Sequence, residues 1–153
     1  MSQQQPQPQF SIQRLYIKDA SFESPQAPQI FLQEWQPQLD LHLDTQANEI
    51  DPETREVILT VTVTVKVSEK VAFLAEVKQA GIFTVKGFAA EQLPQVLGAF
   101  CPNILYPYAC EAISNLVAKG GFPPLYLSPV NFEALLADHQ QKQGPTNDEK
   151  AVH

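Results

Sequence analysis

Residues 56–86 read EVILTVTVTVKV, then SEK, then VAFLAEVKQAGIFTVK. From Val57 to Val67 every odd position is apolar, while the even positions hold Ile58, Thr60, Thr62, Thr64 and Lys66. A period of two puts one face on a core and the other towards water, and β-branched residues suit a pleated, half-buried surface. Ser68-Glu69-Lys70 is short and polar enough to reverse the chain. The return strand keeps the parity, with Val71, Phe73, Ala75 and Val77 on one face and Leu74, Glu76 and Lys78 on the other. A lone hairpin is marginal in water, so the flanking sequence must cover its apolar face and supply neighbours at its edges.

Upstream, Phe10 to Phe22 reads as a first strand. Its apolar parity shifts between Phe10/Ile12 and Leu15/Ile17, which predicts a bulge near Gln13-Arg14. Pro25 to Pro37 holds three prolines around Ile30, Phe31, Leu32 and Trp35, so it is neither a regular helix nor a central strand. A loop this apolar either packs across the sheet as a crossover or lines a site. Leu39-Asp40-Leu41-His42-Leu43 alternates as a second strand, and Asp44 to Thr54 is read as a polar turn into the hairpin. His42, on the polar face, is read as solvated.

Downstream of Gly87 the period becomes helical. Ala89 to Phe100 predicts a short helix limited by Pro94, and Cys101-Pro102-Asn103 a break. Asn103 is then the N-cap of a main helix over Ile104–Lys119, with Pro107 in its first turn and Gly120-Gly121 as its stop. Leu105, Tyr108, Ala109, Ala112, Ile113, Leu116 and Val117 make a broad apolar stripe. A helix so apolar is buried in its own domain or shared between subunits. Phe122 to Leu127 is an extended connector. Ser128 or Asn131 caps a last helix from Phe132 to about Lys142, with Phe132, Leu135, Leu136 and His139 on one face. Strands first and helices last predict an α+β fold, with helices on one side of an antiparallel sheet.

The length of 153 residues predicts one domain over residues 10–142, with the glutamine- and proline-rich residues 1–9 and the polar residues 143–153 read as disordered arms. A net charge of −7 disfavours nucleic acid and anionic lipid and suits basic partners. No uncharged apolar run approaches the roughly 18 residues of a membrane span, and the N-terminus lacks the pattern of a signal peptide, which points to the cytosol. Cys101 and Cys110 are read as free thiols. No metal-ligand spacing, phosphate-binding glycine loop or nucleophile turn is present, so neither a cofactor nor an enzyme is expected.

The segments IQRLYIKDASFESPQAP (12–28), EWQPQLDLHLDT (34–45), FLAEVKQAGIFTV (73–85), GAFCPNILYPYACEAISNLV (98–117) and GFPPLYLSPVNFEALL (121–136) resemble the SecB family of bacterial export chaperones, over nearly all of residues 10–141. The resemblance implies a four-stranded antiparallel sheet with two main helices C-terminal to it. It implies a homotetramer built as a dimer of dimers, with Leu105, Tyr108, Ala112, Ile113 and Leu116 at the helical interface. It implies ATP-independent binding of unfolded secretory preproteins in an apolar groove, for which Trp35, Leu39, Leu41, Leu43, Leu125 and Leu127 are the candidates. Delivery to the translocase motor SecA would use Asp19, Glu23, Leu74 and Glu76, facing the motor's basic, zinc-bearing tail. The zinc belongs to that partner. The reading of a different class is an oligomeric scaffold that binds one folded partner. A chaperone binds several unrelated denatured proteins, and a scaffold does not.

Overall fold

The computed structural model describes residues 7–142. Four antiparallel strands, β1 (Gln9–Glu23), β2 (Gln38–Asp51), β3 (Thr54–Val67) and β4 (Lys70–Lys86), form one sheet in the order β1-β4-β3-β2. The most apolar strands take the two central places, and the more polar β1 and β2 take the edges, where one side of the backbone faces solvent. The β3–β4 hairpin turns on Ser68 and Glu69, both at positive φ, the backbone that matches the right-handed twist of paired strands.

The inner face carries the core. Val57, Leu59, Val61, Val63, Val65 and Val67 of β3 are buried, as are Phe73, Ala75, Val77, Phe83 and Val85 of β4. Val71 is not among them. The register slips between Val65 and Lys66, so Val71 pairs with Lys66 on the outer face and the extra residue, Ala72, turns inward. β1 carries two slips, at Ile12/Arg14 as the parity shift predicts, and at Ile17/Asp19. The polar stretch Asp44 to Thr54 is mostly strand rather than turn, since β2 runs on to Asp51 and only Pro52-Glu53 separate it from β3. Edge pairing satisfies that backbone without demanding apolar alternation.

The helical layer lies on the inner face. A single turn α1 (Leu93–Gln95) leads into a π-helical turn, Val96–Phe100, and then without interruption into α2 (Cys101–Lys119). The predicted break at Cys101-Pro102-Asn103 and the Asn103 cap are absent. In the π turn the Cys101 N–H reaches back to the Val96 carbonyl, and this wider backbone makes room for Pro102 in the first turn of α2. Pro107 therefore stands inside the helix, not at its start. The buried residues of α2 are Cys101, Pro102, Leu105, Tyr106, Ala109, Ile113 and Val117, which lie on the sheet. Tyr106, not Tyr108, faces the core, and its hydroxyl donates to the Ser128 carbonyl at 2.7 Å. The last helix, α3 (Phe132–Lys142), is capped by Asn131, whose Oδ1 accepts the Ala134 N–H at 3.0 Å. Both cysteines are free, and burial pushes the Cys101 thiol up to about 12.

Candidate functional site

Cross-strand register orders the uncovered outer face into rows. Glu23, Leu74, Thr64 and Asp40 make one row; Ser21, Glu76, Thr62 and His42 the next; Asp19, Lys78, Thr60 and Asp44 the third. The second slip in β1 is what aligns Asp19 and Glu23 with Leu74 and Glu76. Without it, odd positions of β1 would continue inward from Leu15 and Ile17. The four residues assigned to motor contact thus share one patch, across two neighbouring strands. His42 is exposed on this face, in the row of Glu76. The Glu76 carboxylate accepts a hydrogen bond from the Thr62 hydroxyl at 2.8 Å.

Towards the other end of this face, Glu56 gathers a polar network. The Tyr16 hydroxyl donates to it, Lys18 Nζ lies 3.0 Å from both of its oxygens, and the Asn48 amide donates at 3.1 Å. The Tyr16 bond, with help from Lys18 and Asn48, holds the Glu56 carboxyl below its usual range despite partial desolvation. Burial and the same bond push the Tyr16 phenol up to about 12. Tyr16 is registered with Ala80 and Ile58, two apolar residues of the outer face that are nonetheless buried.

On the inner side, an aromatic cluster forms around Phe122. Phe73, Phe31, Trp35 and Phe22 have ring centroids 4.9, 5.0, 5.6 and 6.3 Å from it. Its position follows from the end of α2. Gly121, at φ +89°, donates to the Ala118 carbonyl, and Phe122 donates to Val117. This is a Schellman stop, in which the left-handed residue turns the chain and the next residue packs back. At Gly120 an added Cβ would stand 2.2 Å from the Phe22 ring, so the helix end closes onto β1 only without a side chain there. The Pro25–Pro37 segment is the crossover between the two edge strands, the first of the roles that its composition left open. Its 3-10 turn, Gln29–Leu32, buries Ile30 in the core, while Phe31 and Trp35 reach the cluster. Phe31 is 48% exposed, Trp35 37% and Leu32 88%, so apolar surface remains open to solvent beside the rings. The sequence places Phe31 in an apolar loop and Phe73 on the core face, but it does not bring them together with Phe22 and Phe122. The signal was the phenylalanine directly after Gly120-Gly121.

The six groove candidates fall on one side of the sheet but not in one slot. Trp35 stands in the aromatic cluster. Leu39, Leu41 and Leu43 pair with Val65, Val63 and Val61 on the inner face of the β2 edge, Leu39 exposed and the other two half-buried. Leu125 and Leu127 pack half-buried on the core from the connector. Leu43 also lines a separate cavity of about 510 Å³ with Pro94, Leu97, Phe132, Leu135, Leu136 and His139. Of the helical interface candidates, Leu105 and Ile113 are fully buried under their own α2 and offer nothing to a second subunit. Tyr108 is exposed, and Ala112 and Leu116 are half-buried. Ile12 and Ile17 of β1 are also exposed, 47% and 53%.

A family model described as the preprotein translocase subunit SecB matches residues 3–143. The chain belongs to the SecB family. A protein-export protein SecB of Ectopseudomonas mendocina (strain ymp) is 54% identical over 146 residues, which cover 95% of this chain and 90% of that one. Among solved structures, a Mycobacterium tuberculosis SecB-like chaperone in complex with a ChAD peptide from the HigA1 antitoxin superposes with a TM-score of 0.67 at 18% identity, covering 79% of this chain and 90% of that one. At that identity the likeness is one of fold. The strand order and the C-terminal helical layer are therefore those of a SecB fold, and none of the helices is long and apolar enough to cross a membrane among the described residues.

Proposed function

We propose that this protein is an ATP-independent export chaperone that holds unfolded secretory preproteins in a state fit for translocation. The observation that carries the reading is the partly open aromatic cluster beside the leucine row of β2, in a chain of the SecB family. Apolar contact is non-directional, so such a surface accepts many sequences. Binding the unfolded state opposes folding of the client by mass action. A net charge of −7 keeps the loaded complex soluble.

The acidic patch of Asp19, Glu23 and Glu76 around Leu74 is the surface for the basic tail of SecA, on the face of the sheet opposite the clients. The assembly is a homotetramer, a dimer of dimers, in the cytoplasm. Its helical contacts use the exposed Tyr108, with Ala112 and Leu116 beside it at the half-buried margin of the core. The reading assigns no catalytic step and needs no cofactor.

The test is to dilute a denatured preprotein into buffer with and without the purified protein and follow refolding. Slowed refolding of several unrelated clients is the expected result. Unchanged refolding of all of them, with tight binding of one folded protein, would establish the scaffold reading instead.

A further inference from the structure

Among the described residues, Glu76 is the one acidic member of the outer patch whose carboxylate is held by another side chain. Thr62 Oγ1 donates to Glu76 Oε2 at 2.8 Å, and the two residues are direct cross-strand partners on β3 and β4. Asp19 and Glu23 have exposed side chains with no such partner among the described residues. Thr62 is a rigid donor, because a β-branched side chain in a strand has few rotamers. It stands mid-strand in the stripe Thr60, Thr62, Thr64, and Glu76 itself is only half-exposed.

We propose that Thr62 is a positioning residue for the motor-binding surface: it fixes the Glu76 carboxylate so that the second oxygen points out ready to accept a cation. The inference rests on the reading of the acidic patch as the site for a basic tail. A free glutamate side chain loses considerable rotamer freedom when a partner immobilises it. Here that ordering is already made in the unbound protein, which lowers the cost of association. The hydroxyl adds no charge, so its contribution lies in geometry and not in the field of the patch. Bonds to an ionised acceptor are the stronger class, which suits a donor whose task is to hold a carboxylate.

The experiment titrates the zinc-loaded SecA tail peptide onto full-length wild type, Thr62→Val, Thr62→Ser, Glu76→Gln and the Thr62→Val/Glu76→Gln double variant, at low and high salt. Valine keeps the shape and strand preference of threonine, and the client-binding activity and oligomer mass of each variant report folding. Thr62→Val is expected to weaken binding about fivefold by the same factor at both salts, since no charge is removed. Thr62→Ser is expected to recover most of the binding that Thr62→Val loses, since it keeps the hydroxyl without the branch that restricts it. Glu76→Gln is expected to weaken binding more and to flatten the salt dependence, and the double variant to match Glu76→Gln alone. If Glu76→Gln weakens binding but Thr62→Val does not, or if Thr62→Val weakens it equally in the Glu76→Gln background, Thr62 has no positioning role. If Glu76→Gln binds like wild type, the patch is not the motor site, and both the reading and the inference fall.

Discussion

Leu74 and Glu76 alternate along β4 with Phe73, Ala75 and Val77, so neighbours in sequence belong to opposite faces. Charge reversal at such an outward position changes the field of the patch and leaves the core alone. Glu76→Lys is expected to weaken SecA-tail binding by roughly tenfold or more at low salt, with client binding and oligomer mass unchanged. Titration at two salt concentrations measures both. Glu56 makes a different kind of prediction. Its carboxyl is held below the ordinary range in the folded chain, chiefly by the Tyr16 hydroxyl. The folded state therefore binds that proton more weakly than the unfolded state does. The associated stability is complete above the ordinary carboxylate pKa of about 4.3 and is lost as pH falls through the lowered folded value. Glu56→Gln should lower stability at neutral pH and show a shallower acid limb in denaturant melts taken between pH 7 and 3. An unchanged acid limb would show that other carboxylates dominate it.

The proposed client side is built from helix ends and strand edges. Gly121 sits at φ +89°, where a Cβ is strained. Gly121→Ala is expected to cost about 1–2 kcal/mol and to move the Phe122 ring, so the fluorescence of Trp35, the single tryptophan, should respond along with the melting temperature. Leu41→Ala with Leu43→Ala should weaken client binding more than it lowers the melting temperature, because both side chains are only half-buried. A fully buried leucine would cost ~2–5 kcal/mol on the same change, so collapse of the fold would mark these residues as core instead. The hairpin, the first bulge and the last helix were legible because period and turn chemistry act locally. The second bulge was not. No apolar residue marks Lys18, and only the return of Phe22 to the core shows that the parity has changed again. The main helix was misjudged for a similar reason. Pro102 reads locally as a stop, and only the widened π turn before it explains why the helix continues. The aromatic cluster draws on β1, the crossover, β4 and the phenylalanine beyond the glycine stop of α2, so it exists only once the chain has folded.

At the scale of the assembly, the sequence stripe on α2 is shared out. Leu105 and Ile113 go to the protomer's own core, Ala112 and Leu116 pack half-buried against it, and Tyr108 is the exposed member that the proposed helical contact would use. Sedimentation of the wild type is expected to give the mass of four chains of 17.0 kDa each. Tyr108→Glu, which buries a charge if the contact forms, should lower that mass without unfolding the protomer. A monomer at micromolar concentration in the wild type would end the tetramer reading.

The extra residue at Lys18 has a consequence for how the gene can tolerate change. Removing that single codon would not shorten a loop. It would straighten the strand and leave Asp19 opposite Lys78 and Phe22 opposite Ala75, because the residue removed is the one without a cross-strand partner. One in-frame loss there costs little beyond the ion pair with Glu56, whereas a loss in the unbroken run of β3 from Val57 to Val65 has no spare residue to give up and would exchange the two faces of the strand on one side of it. In this sheet counting matters more than chemistry, and a scan of one-residue deletions should show a shallow defect at Lys18 and its deepest defects in that run of β3.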